Sequence, residues 1–179
     1  MTEMTRFATS QIILGHLGRM KENLLGAFAS KARLEQGWKM ISMAVDSGAC
    51  ETVANPEEMP GYEVTETTES KKGINFCSAT GEEIPNLGEM TIPMITRESS
   101  VRSMRICAAP VAMPLASVKK MCTAGHMVVF DSDGSYIMNK QSGEINQLRE
   151  HDGNYMLDVM VPPPDHPQRH ISEHFLRQP

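Results

Sequence analysis

Residues 40–53 read MISMAVDSGACETV, an apolar run that delivers an aspartate, a serine and a glycine into a tight turn. A carboxylate there (Asp46) has a hydroxyl beside it (Ser47) and open backbone at Gly48, so the backbone of another molecule can come close. One such carboxylate does little alone. Two of them facing each other across a symmetry axis cannot both ionise. The charged member then takes a proton from a shared water while the neutral member polarises a carbonyl, and an amide is hydrolysed without a covalent intermediate.

Two other places carry reactive side chains. Val128-Val129-Phe130-Asp131-Ser132 repeats the apolar-Asp-Ser pattern, but Asp133 stands where the chemistry requires glycine, so 131–134 reads as a hairpin turn. Near the end, His170-Ile171-Ser172-Glu173-His174, with His166, spaces imidazoles at i, i+4 and i+8. On a helix that spacing puts them on one face, as in H-x-x-E-H metallopeptidases. A proline-rich tail supplies no cavity, so neither a metal nor a cofactor is expected. The four cysteines lie far apart with no C-x-x-C pair, which suits reduced thiols in an intracellular protein.

The elements that must position Asp46 are mostly β. From Trp38 the pattern alternates through Ile41, Met43 and Val45 to the turn, then Thr52 and Val53 resume a strand. Residues 54–73 are polar and punctuated by Pro and Gly, and read as a loop. Ile74 and Phe76 open a hairpin with its tip near 80–83, Ile84–Ile95 continue as strand interrupted by Pro85 and Pro93, and Val101–Ile106 form another. Ser117 is placed to cap a short helix over 118–124 that stops at Gly125. His126–Phe130 is a strand. Turn signals at 131, 140 and 151 then mark a β-meander. The expected organisation is an N-terminal helical or flexible segment (1–37), a main β domain (38–130), a C-terminal meander extension (131–161) and a Pro/His-rich tail (162–179).

Bulk properties narrow the classes. A chain of 179 residues can bury one ordinary core. The net charge of −5 argues against a direct nucleic-acid ligand. No apolar run approaches the ~20 residues of a membrane span. The basic residues scattered through the amphipathic stretch 12–28 suit neither a secretory signal nor, given Glu3 and Glu22, a transit peptide. The expectation is a cytoplasmic protein with no membrane partner.

Val45-Asp46-Ser47-Gly48-Ala49 resembles the active-site signature of retropepsins, the aspartic proteases of retroviruses and long-terminal-repeat retroelements. The order of DSGA, a polar loop, ATGEEIPNLGEM, PLASVKKMCTAGHMVVF and SYIMNKQSGEINQLREHDGNYMLDVMV is similar to the protease region of copia-type retrotransposon polyproteins from about residue 38 to 161. The resemblance implies a retropepsin-like closed β-barrel with one short helix, and a peptide-cleaving homodimer in which each chain supplies one aspartate. Asp46 would be the catalytic carboxylate, Ser47 would brace the two facing loops, and Gly48 and Ala49 would meet substrate backbone. Leu115, Ala116 and Ser117 would be the supporting loop behind the turn. Ala79, Thr80 and Gly81 would sit at the tip of a flap or its shortened equivalent. The partner would be a polypeptide substrate, as in polyprotein processing. A catalytically inactive, retroelement-derived dimerisation or binding module is the alternative.

Overall fold

The computed structural model describes residues 31–59, 61–163 and 165–167, so the apolar stretch 12–28 and the histidines at 170 and 174 lie outside the described residues. The strands run β1 (Lys39–Asp46), β2 (Val53–Ala54), β3 (Phe76–Cys77), β4 (Glu83–Ile84), β5 (Gly88–Thr96), β6 (Val101–Ala108), β7 (Leu115–Ser117), β8 (His126–Val129), β9 (Tyr136–Asn139), β10 (Ile145–Gln147), β11 (Arg149–His151) and β12 (Asn154–Val161). Two short helices interrupt them, α1 (Thr68–Lys71) and α2 (Val118–Thr123). The protein is mostly β, with no described helix long and apolar enough to cross a membrane.

A seven-stranded sheet in the order β1-β7-β2-β6-β5-β12-β11 closes on itself because β12 also pairs with β1. β1 to β12 in that order therefore form a barrel, and β11 hangs on as a hairpin partner of β12. The segment 131–161, which the sequence suggests is an appendage, thus supplies in β12 the strand that closes the barrel. Its sequence suits an internal strand: Met156 to Val161 are all buried, as expected where both neighbours and both faces are covered. β8, β9 and β10 make a separate three-stranded antiparallel sheet, and β3 and β4 a two-stranded hairpin.

The interior is built on methionine and isoleucine. Met43, Met59, Met90, Ile92, Met94 and Ile106 are among the largest fully buried side chains, each contributing about 1.5–3 kcal/mol by leaving water. A smaller cluster joins Trp38, Ile95 and Met160, with the His166 ring edge-on to Trp38 at 4.9 Å.

Three sequence expectations change. Pro93 does not interrupt its strand: β5 runs through it, because β12 pairs with β5 only at Ile95 and Thr96, leaving Pro93 without a ladder position that demands its missing N–H. The stretch 54–73 is not wholly loop. It holds a 3-10 turn at Pro56–Glu58 capped by Asn55, and α1, where Thr67 and Ser70 form a capping box. Ser117 caps α2 as expected, but the helix ends at Thr123.

Segment 54–73 is pinned to the barrel by a two-way backbone bridge between Thr65 and Glu89 at 2.9 Å in each direction. Gly88 makes that approach possible: its φ is +125°, and a Cβ there would lie 2.3 Å from the Thr65 carbonyl oxygen. Gly88→Ala is therefore expected to cost about 3 kcal/mol through backbone strain and the forced shift of Thr65. Denaturant titration checks this, and the same change at Gly81, where nothing lies within 4 Å, is the matched control.

Candidate active site

β1 ends at Asp46, and its last three residues lie parallel to β7 in the register Ala44–Leu115, Val45–Ala116 and Asp46–Ser117. The Ala44 amide donates to the Pro114 carbonyl at 2.9 Å, extending the pair. Asp46 is half-buried, while Ser47 and Gly48 are exposed. The Asp46 Oδ1 accepts the Gly48 amide at 2.7 Å, which folds the turn onto its own carboxylate. A Cβ on Gly48 would stand 3.3 Å from that oxygen, so glycine keeps the carboxylate clear.

Ser117 holds the far side of the turn and is fully buried, as is Ala116. Its hydroxyl donates to the Ala49 carbonyl at 2.7 Å and accepts the Lys120 amide at 3.3 Å, so one oxygen latches the turn and caps α2. Its own amide donates to the Thr52 hydroxyl at 3.1 Å, and the Thr52 carbonyl accepts the Cys107 amide at 2.8 Å. Buried hydroxyls that are hydrogen-bonded define a position sharply. The serine at 117 thus makes side-chain hydrogen bonds that a glycine there would have no side chain to make. Thr52 was not singled out from the sequence. Its only signal was a hydroxyl at the start of the strand leaving the turn.

Around this centre, Lys120 pairs with Glu51 at 2.7 Å, both partly exposed, an ion pair worth little in stability. Burial, and then the Glu51 charge, push the Cys107 thiol up to about 11, so it stays protonated at neutral pH. All four cysteines are free, and Cys50, Cys77 and Cys122 are exposed.

The other expected residues lie elsewhere. Ala79, Thr80 and Gly81 are exposed at the tip of the β3–β4 hairpin, where the Ser78 amide donates to the Glu82 carbonyl at 2.9 Å. Phe76 of that hairpin walls a cavity of about 670 Å³, which takes Glu51 and Thr52 from the end of the turn but is not lined by Asp46, Ser47, Gly48 or Ala49. Through Phe76 the hairpin therefore borders that cavity. Asp131 occupies a hairpin turn between β8 and β9, its Oδ1 accepting the Asp133 amide at 2.9 Å. Among the described residues no group of three His, Cys, Asp or Glu side chains is placed to hold a metal.

Comparison of the chain with protein-family models, with curated proteins and with solved structures finds no match.

Proposed function

We propose that the chain is a retropepsin-like aspartic endopeptidase that acts as a homodimer and processes a retroelement polyprotein. The observation that carries this reading is the Asp46-Ser47-Gly48 turn at the end of a barrel strand, folded onto its own carboxylate and latched from behind by Ser117. Such a turn holds a half-buried carboxylate in one orientation with exposed backbone beside it, which is what an aspartate dyad requires from each half. With one such turn per chain, the second carboxylate comes from a second copy on a twofold axis. The ionised member removes a proton from the shared water and the protonated member donates to the scissile carbonyl oxygen. Water oxygen bonds to the carbonyl carbon to give a gem-diol. The member that took the water proton passes it to the amide nitrogen, the C–N bond breaks, and a gem-diol hydroxyl returns its proton to the other member as the C=O bond re-forms. The compartment proposed is the cytoplasm, where the exposed thiols stay reduced.

A second reading is favoured by one observation. The cavity beside the turn is not lined by Asp46, as would suit a retroelement-derived dimerisation or binding module that cleaves nothing.

The test is incubation of the full chain with a diverse peptide library across pH. The protease reading expects cleavage with a bell-shaped rate profile centred on the acid side of neutral, blocked by a statine-type mimic of the tetrahedral intermediate and indifferent to a chelator. Cleavage lost with the chelator and unaffected by the statine would overturn it. A dimer that cleaves no peptide at any pH would support the binding module.

A further inference from the structure

The cavity of about 670 Å³ beside the hairpin has features that peptide hydrolysis at Asp46 does not use. Its volume falls in the range of small-molecule sites, and adaptable side chains such as Met94, Met104 and Met121 line it. Two polar atoms beside it are buried without a hydrogen-bond partner, Oδ1 of Asn146 and Nδ1 of His126. Asn146 is only 4% exposed and sits on β10, at the opposite edge of the three-stranded sheet from His126 on β8. A buried polar atom left without a partner is costly, and an asparagine on a cavity wall can turn its carboxamide about a soft terminal torsion to meet one. The charges of the lining largely cancel. Glu51 pairs with Lys120 and Glu89 with Arg105, Arg102 is paired by Glu144 from outside the lining, and the remaining carboxylate, Glu69, discourages anions.

We propose that this cavity binds an uncharged, largely apolar small molecule bearing a hydroxyl or N–H group, with the Asn146 carboxamide oxygen accepting that hydrogen. The apolar walls take the body of the ligand, the paired charges offer an ionic head little to answer, and Glu69 opposes an anionic one. Asn146 supplies orientation and selectivity, since a site built around an acceptor rejects an analogue that lacks the donor.

The probes are 1-decanol and its methyl ether, which differ in the donor. The full chain, carrying isotopically labelled methionine methyl groups, is titrated with each and followed by NMR. Decanol is expected to shift the methyls of Met94, Met104 and Met121 saturably and to leave that of Met113, outside the cavity lining, unmoved. The ether is expected to bind about tenfold more weakly, the worth of one hydrogen bond. In Asn146→Leu the two probes should bind alike, and the ligand-free protein should melt no lower than wild type because an unpartnered acceptor has gone. Equal affinity for alcohol and ether in the wild type overturns the role of Asn146 whether or not the variant folds. Absence of saturable shifts at the cavity methyls with either probe overturns the site itself and means that water alone fills it. Neither result bears on cleavage at Asp46.

Discussion

Asp46→Asn is expected to lower peptide cleavage by about a thousandfold or more while leaving the melting temperature and the dimer unchanged. The reason lies in the turn. Asp46 Oδ1 accepts the Gly48 amide at 2.7 Å, and the asparagine oxygen accepts it equally well, so the backbone stays folded. The carboxamide neither ionises nor carries a carboxylic proton, so a dimer of the variant has no base to activate water and no acid to polarise the carbonyl, and a mixed pair lacks one of the two. Matched melting curves together with initial rates separate the two effects. A variant that cleaves at the wild-type rate would show that the carboxylate is not the reacting group, whereas one that unfolds would show that the turn needs its charge.

The second large effect concerns stability and lies far from the turn in sequence. Asp158 on β12 is 7% exposed, and Arg149 on β11 holds it with two bonds, Nε to Oδ2 at 2.8 Å and Nη2 to Oδ1 at 3.0 Å. The Ser42 hydroxyl on β1 donates to Oδ1 at 2.7 Å. The network ties the strand that carries Asp46 to the strand that closes the barrel. Burial alone would push the Asp158 carboxyl up; the bonds from Arg149 and Ser42, with the charges of Arg149 and Arg97, outweigh it and hold the group below the usual aspartate range. Arg149→Ala removes the fork and leaves the buried carboxylate to the Ser42 hydroxyl and the Arg97 charge at 4.0 Å, at an expected cost of about 3 kcal/mol. Because the folded pKa is depressed, this stabilisation is fully present above the ordinary aspartate value and is lost as pH falls through the folded one. Denaturant titration from neutral pH downward should therefore show the gap between wild type and Arg149→Ala shrinking below about pH 5. A gap constant over that window would mean that Asp158 is not the group responsible. Glu144, held low by Ser100 and Arg102, adds acid sensitivity common to both proteins and cancels in the difference.

Much of the geometry around Asp46 was legible in the sequence. The alternation from Trp38 to Val45 marked a strand ending at the aspartate, the serine at 117 marked the helix cap, and 131–134 read as the hairpin turn that joins β8 to β9. What could not be read was pairing across sequence distance. The near-continuous apolar run of NYMLDVMV suits a covered strand but does not say which strands flank it, because closure is decided by the register of β12 against Lys39–Ala44, more than a hundred residues away. The Asp158–Arg149–Ser42 network was missed for the same reason, since each member is an ordinary polar residue until three strands meet. Thr52 and Gly88 belong with these: the roles of a hydroxyl and a missing Cβ depend on Ser117 and Thr65 arriving beside them.

The central claim is that each chain contributes half of a peptide-cleaving site, and mixing tests it most directly. Wild type at fixed concentration is combined with about a ninefold excess of Asp46→Asn chains, allowed to exchange subunits, and assayed for cleavage. If the site is shared, random pairing leaves about one wild-type chain in ten with a wild-type partner, and activity falls about tenfold, with specific activity also falling on dilution of wild type alone. Activity that stays proportional to the wild-type chain present, from a particle of monomer mass, would contradict the account.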